Sequence, residues 1–253
     1  MSNEVFNRFE KKYILNQSVY EHILSELKKH MTLDRYNIEN NFYTISNIYY
    51  DTADDLLIRK SLSKPVFKEK LRLRAYGQPS DDSKVYLEIK KKYKGHGNKR
   101  RTALTLSEAY QFLETKELPA PKPYHNPQVL RELQFFLSQY DLKPAVYIAY
   151  DRMALSDGDL RITFDKNIRT RRCSLGLEQG QTGELLLPEG SWLMEIKAQN
   201  TLPMWLVRIL SENRIYASSF SKYGKEYENT LKSRRGDEVT CLSHYLVPQQ
   251  VAL

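Results

Sequence analysis

The chain has 253 residues, 41% hydrophobic and 28% charged, a globular composition that excludes an intrinsically disordered protein. Its net charge of +8 points to an anionic partner, and its two cysteines, Cys173 and Cys241, lie too far apart for a disulfide framework or a zinc site. With no apolar signal core at the N-terminus and no run of roughly 18 apolar residues, the expected protein is soluble and cytoplasmic, without a transmembrane segment.

In chain order, alternation predicts a strand over 6–15, followed by a helix over 18–29. Ser18 can cap that helix, Glu21 holds the capping-box position, and Val19, Ile23, Leu24 and Leu27 form one apolar face. A strand over 46–51 ends in Tyr49-Tyr50-Asp51-Thr52, read as a strand end with a helix cap. Strands over 68–76 and 84–92 flank a loop at 77–83, and a second loop covers 95–98. Helices over 107–115 and 127–140 enclose a loop at 118–127. Strands follow over 145–155 and 160–168, then a loop at 176–190, a strand over 191–197, and helices over 202–213 and 221–232. There is no internal repeat or linker, so one α+β domain over 1–232 with a mostly antiparallel sheet is expected, followed by a C-terminal tail at 233–253.

Residues two apart on a strand share a face. Glu10 and Lys12 are so spaced, as are Arg72 and Arg74, Glu88 and Lys90, Tyr150 and Arg152, Glu195 and Lys197, and the series Arg161, Thr163 and Asp165. Apolar partners such as Leu71, Leu73, Leu87, Ile89, Ile162, Phe164, Met194 and Ile196 fall between them. For one strand, a sheet with a wet outer face explains the pattern. Repetition over many strands favours charged faces converging on a cavity, where Arg72, Arg74, Lys90 and Arg152 meet phosphate oxygens. Glu10, Glu88 and Glu195 then remain as hard oxygen ligands for Mg²⁺ or Mn²⁺.

The ordered set Arg8-Phe9-Glu10-Lys11-Lys12-Tyr13, Tyr49-Tyr50-Asp51-Thr52, Lys70-Leu71-Arg72-Leu73-Arg74, Leu87-Glu88-Ile89-Lys90, Tyr150-Asp151-Arg152, Arg161-Ile162-Thr163-Phe164-Asp165, Met194-Glu195-Ile196-Lys197 and Ser221-Lys222-Tyr223 resembles the polyphosphate polymerase domain of the vacuolar transporter chaperone (VTC) family. That domain belongs to the CYTH, or triphosphate tunnel metalloenzyme, superfamily. The resemblance implies an antiparallel eight-stranded β-barrel with helices packed outside, and transfer of the γ-phosphate of ATP to inorganic polyphosphate. By the same resemblance, Lys12, Arg72, Arg74, Lys90, Arg152, Arg161 and Lys222 match phosphate-binding bases. Tyr150 and Ser221 match polar wall residues, and Glu195 matches the metal-binding carboxylate; from the residues themselves, Lys197 and Arg101 are expected to bind substrate and Glu10 to join Glu195 at the metal. A membrane component that moves the product is implied as a partner. The sequence sets no oligomeric state.

One departure bears on the chemistry. The superfamily pattern near the N-terminus is Glu-x-Glu-x-Lys, whereas Arg8 stands here at the first glutamate. Exchanging a carboxylate for a cation weakens metal-assisted hydrolysis and favours polymerase over the alternatives, a triphosphate hydrolase or a non-catalytic polyanion-binding module. Nucleic acid is not expected as a partner, because the bases alternate with Glu along strands and suit an enclosed cavity. Lys11 and Lys91 are out of phase and read as solvated, Lys92 is in phase, and Lys99, Arg100 and Arg101 read as a loop at the cavity mouth or in solvent. Trp192 and Trp205 read as core. His22, His30, His96, His125 and His244 need no catalytic role.

Overall fold

The computed structural model describes residues 9–37, 42–94, 96–199 and 201–234. Arg8, Cys241, His244 and nearly all of the C-terminal tail lie outside these residues. The elements are β1 (Phe9–Leu15), α1 (Gln17–Leu27), β2 (Thr32–Leu33), β3 (Tyr43–Asp51), α2 (Leu56–Leu62), β4 (Phe67–Tyr76), β5 (Lys84–Tyr93), β6 (His96–Thr105), α3 (Leu106–Thr115), α4 (Pro127–Gln139), β7 (Lys143–Asp157), β8 (Leu160–Arg171), β9 (Glu184–Leu185), β10 (Trp192–Ala198), α5 (Met204–Glu212) and α6 (Lys222–Arg234).

Eight strands pair in the order β1-β10-β8-β7-β3-β4-β5-β6, with β2 and β9 as short additions. Every pairing is antiparallel. This is the expected α+β architecture with two refinements. First, among the described residues β1 and β6 end the path without pairing to each other, so their hydrogen bonds do not close the sheet. It nevertheless curls. Lys12 of β1 donates to the Phe220 carbonyl (2.9 Å) and Lys70 of β4 to the neighbouring Ser221 Oγ (3.3 Å), so strands far apart in the path meet at consecutive residues. The free edge of β1 is engaged by Ser218, whose N–H donates to the Lys12 carbonyl at 2.8 Å. Second, not all helices lie outside, as α6 shows below.

The two periodicities of each strand separate core from lumen. On the outer face of one half, Leu87, Ile89 and Leu104 pack under Phe112 of α3 and Leu133, Phe136 and Leu137 of α4. On the other half, Tyr13, Ile162, Phe164, Met194 and Ile196 pack under Ile23 and Leu27 of α1 and Leu206 and Ile209 of α5. A third cluster faces inward: Ile45, Ile148, Tyr150, Ile168 and Leu193 meet Tyr223 and Tyr227 of α6. These strand residues share the face of the charged side chains, so α6 fills part of the interior. Its sequence, with Tyr223 and Tyr227 four apart, supplies the apolar stripe required.

Three local expectations change. α1 is capped by Asn16, whose Oδ1 accepts from the Val19 N–H (2.9 Å), and Ser18 donates to the same oxygen, so Ser18 supports the cap from inside the helix. The stretch read as a loop around residues 95–98 begins β6, because pairing with β5 satisfies its backbone despite its polar side chains. The helix α2 was anticipated only as a cap. There Asp51, itself buried, accepts from the Leu57 N–H (2.8 Å), the Ile58 N–H (2.9 Å) and the Tyr223 hydroxyl (2.8 Å).

Asp51 thus joins β3, α2 and α6 through one carboxylate. Asp51→Ala should lower the unfolding free energy in urea by about 2–4 kcal/mol, from a lost cap and stranded buried donors. Asp54→Ala, at an exposed position nearby, should leave the urea midpoint almost unchanged.

Candidate functional site

One wall of the interior is built by β3 to β6. Register places Tyr49, Arg72, Glu88 and Arg101 side by side across four strands, and Lys70, Lys90 and Lys99 across three. Arg72 donates through Nε to Glu88 Oε2 (2.7 Å) and through Nη1 to the Tyr49 hydroxyl (3.3 Å). Arg74 donates to Asn47 Oδ1 (2.9 Å) and the Tyr150 hydroxyl (3.1 Å). Lys99 Nζ lies 3.6 Å from Glu88 Oε1. Arg101 lies over the Tyr86 ring, 4.9 Å from its centroid.

The facing wall comes from β1, β10, β8 and β7, with the start of α6. Asp165, fully buried, accepts from Arg152 Nε (2.6 Å) and Nη2 (2.7 Å) and from Lys222 Nζ (2.6 Å). Glu195 stands within 4 Å of four cations: Lys12 (3.5 Å), Lys222 (3.5 Å), Lys197 (3.8 Å) and Arg152 (3.8 Å). Lys12 and Lys197 also reach Glu10, at 3.2 and 3.5 Å, so Glu10 and Glu195 border one volume. Ser221 Oγ accepts from the Gly224 N–H (3.2 Å) and from Lys70, serving at once as helix cap and as wall.

With this geometry in place, the sequence profile of the VTC domain matches residues 7–231. The chain belongs to the VTC domain family. A curated relative, vacuolar transporter chaperone complex subunit 4 of Trypanosoma brucei brucei, is 26% identical over 216 residues, covering 70% of this chain and 27% of that protein. The chain therefore spans about a quarter of that relative's length. A putative adenylate cyclase from Bacillus halodurans superposes with a TM-score of 0.51 at 17% identity, over 85% of this chain and 95% of that one. A putative adenylyl cyclase from Hippeastrum, described as having a dominant triphosphatase activity, gives 0.46 at 15% identity, over 91% of this chain and 96% of that one. The VTC domain shares its fold, an antiparallel sheet with packed helices, with the Bacillus halodurans protein, as the resemblance in the sequence implied.

Electrostatics in the VTC domain are dominated by mutual crowding. Burial alone would raise the Glu88, Asp165 and Glu195 carboxyls, but the surrounding cations reverse the direction. Arg72 does so at Glu88, Arg152 with Lys222 at Asp165, and Lys222 with Lys12 and Lys197 at Glu195. Lys90 has no carboxylate within 4 Å among the described residues. Arg72 first, then the enclosing protein, then Lys197 and Arg74 hold its ammonium well below the ordinary range. Lys197 is on β10, across the interior from β5, which is the electrostatic signature of the curl. Burial likewise lowers Lys70 to about 8.

Glu10, Lys12, Arg72, Arg74, Lys90, Arg101, Tyr150, Arg152, Glu195, Lys197, Ser221 and Lys222 all fall on the interior face. Arg161 occupies that face too, but its guanidinium turns to Asp34 (2.7 Å) and stays apart from Asp165 and Glu195. Lys99 and Arg101 lie on a strand, with Arg100 on its outer face bound to Glu132 (3.1 Å). Lys11 is exposed and Lys91 pairs with Glu69 (3.7 Å), as solvated residues should. Trp192 is buried and stacks on Tyr20, and Trp205 packs against the α1/α5 core. Lys70 was missed as a site residue, and Lys99, read as a loop residue at the cavity mouth or in solvent, lies on a strand of the interior face. Lys70 is two residues before Arg72 and Lys99 two before Arg101, so phase alone could have found both.

A lysine with a lowered pKa binds anions less well once it loses its proton, and a bound anion pulls the proton back. Relative to Lys70→Arg, the wild-type affinity for inorganic tripolyphosphate should fall about tenfold between pH 7 and 9. Calorimetric titration across that range would measure it.

Proposed function

We propose that this protein is a polyphosphate polymerase that transfers the γ-phosphoryl group of ATP to an inorganic polyphosphate held inside the curled sheet. The observation that carries this reading is the charge balance of the interior. Its buried carboxylates are already engaged, Glu88 by Arg72, Asp165 by Arg152 and Lys222, and Glu195 by Lys12 and Lys222, while Lys70 and Lys90, opposite each other in register, have no carboxylate within 4 Å among the described residues. A chain of phosphates supplies the missing negative charge along the whole length of such a lining.

In the transfer, a terminal oxygen of the polyphosphate bonds to the γ-phosphorus as the bond to the β-phosphate oxygen breaks, and ADP leaves. The acceptor oxygen is anionic at neutral pH, so the chain needs no general base. Arg72 and Arg74 are held in fixed orientations by Glu88, Tyr49, Asn47 and Tyr150, which suits them to orient phosphate oxygens without reorganisation. Arg152 and Lys222, fixed by Asp165, do the same from the facing wall.

The family chemistry involves a divalent cation, and the donor set is consistent with one. Glu10 and Glu195 share two lysine neighbours and so face a common volume, and a Mg²⁺ or Mn²⁺ site made of one or two carboxylates completed by phosphate oxygens matches them. No cluster of three or more His, Cys, Asp or Glu among the described residues offers an all-protein cage. When bound, such an ion neutralises charge on the phosphate oxygens. Lys12 and Lys197 hold the two carboxylates in place for it.

Incubation with ATP and Mn²⁺, followed by gel electrophoresis of the acid-labile product, tests this reading. Polymer is expected from the wild type, with a reduction of roughly 100-fold or more in Glu195→Gln and Lys222→Met, in line with the loss of preorganised charge at a transferring phosphoryl group. Release of orthophosphate without polymer would assign the chain to triphosphate hydrolysis. Tight polyphosphate binding without turnover would make it a binding module.

A further inference from the structure

The β4–β5 hairpin continues past the part of the sheet that the helices cover. Phe67 and Tyr93 face each other across the two strands, on the same side as Leu71 and Ile89. Those two are fully buried, whereas Phe67 is 38%, Tyr93 54% and the adjacent Val66 61% exposed. Core packing therefore stops short of the strand ends while the apolar sequence does not. The Lys94 N–H donates to the Val66 carbonyl (2.9 Å), which holds the backbones that carry the three side chains together at the strand ends.

The rim of this tip is cationic. Lys64 and Lys94 are exposed, as is Lys92 at the same strand end on the opposite face, in phase with Lys90, and Lys94 Nζ lies 5.5 Å from the Tyr93 ring centroid. Lys68, the register partner of Lys92, has an ammonium held below its ordinary value by burial first and then by Lys92 and Lys64, so both charges lie near it. The carboxylate on these strand ends among the described residues, Glu69, is taken by Lys91.

A phosphate chain would engage the lysines but offers nothing to exposed aliphatic and aromatic side chains. A protein partner would need an acidic groove shaped to a protruding strand end. A bilayer bearing anionic lipids offers both requirements at once, an apolar boundary below a negative surface, with lysine stems long enough to span the two. We propose that the tip formed by Val66, Phe67 and Tyr93, rimmed by Lys64, Lys92 and Lys94, docks on the surface of an anionic lipid bilayer.

Co-sedimentation of the full chain with vesicles of phosphatidylcholine, with and without phosphatidylglycerol, tests this. Binding is expected only to the anionic vesicles. Replacing Val66, Phe67 and Tyr93 together by serine leaves the charge unchanged and should weaken binding roughly tenfold or more. Phe67→Trp should show a blue-shifted emission on binding and quenching by brominated lipid beyond that of the wild type. Equal binding to both vesicle types, unchanged binding by the triple variant, or an unshifted Phe67→Trp emission would each overturn the proposal. So would loss of tripolyphosphate affinity in the triple variant, which would assign the tip to the interior site. The Phe67→Trp measurement stands even if the triple variant fails to fold.

Discussion

Like charges enclosed by a curled sheet repel, and the structure depends on how that repulsion is contained. Two fully buried carboxylates do most of it. Glu88 fixes Arg72 and Asp165 fixes Arg152 and Lys222, each by short charge-assisted hydrogen bonds. Such pairs add little net stability over apolar packing, but removing one partner strands a buried charge. Their value lies in geometry: the cations are oriented before any ligand arrives. Lys70 and Lys90, with no carboxylate within 4 Å among the described residues, keep the field positive, and their proton affinities are lowered, by burial at Lys70 and by Arg72 and burial at Lys90.

The scaffold brings these charges together by using both faces of every strand. Outward residues bury themselves under α1 and α5 on one side and α3 and α4 on the other, while the inner face stays polar except where α6 enters. That helix couples core to site. Tyr223 is bound to Asp51, and Arg172 grips Glu226 through Nε at 2.7 Å while reaching Asp55 at 3.2 Å, so α6 is anchored to the α2 cap. Lys222, at its first turn, is thereby held against Asp165.

Alternation makes most of this legible in the sequence. The pairs Arg72 and Arg74, Glu88 and Lys90, and Glu195 and Lys197 separated inner from outer face without error, because a period of two is set by the backbone. β6 was hidden for the opposite reason. His96, Gly97, Asn98 and Lys99 carry little strand preference, and only pairing with β5 makes them a strand. The inward position of α6 was equally invisible, since an apolar stripe does not say which side of a sheet it meets. Asp165 appeared in phase, yet its role as counter-charge emerged only when Arg152 and Lys222, distant in sequence, converged on it. The turn of Arg161 toward Asp34 likewise depends on a contact between residues 127 apart.

The central claim is that the interior face, between the Arg72 wall and the Glu195 wall, receives the phosphate chain. A crystal structure with inorganic tripolyphosphate tests this directly. The account predicts the anion inside the curl, with phosphate oxygens against Arg72, Arg74 and Lys90 on one side and Lys12, Lys197 and Lys222 on the other. An anion bound on the outer surface, with the interior lysines left to solvent, would contradict it.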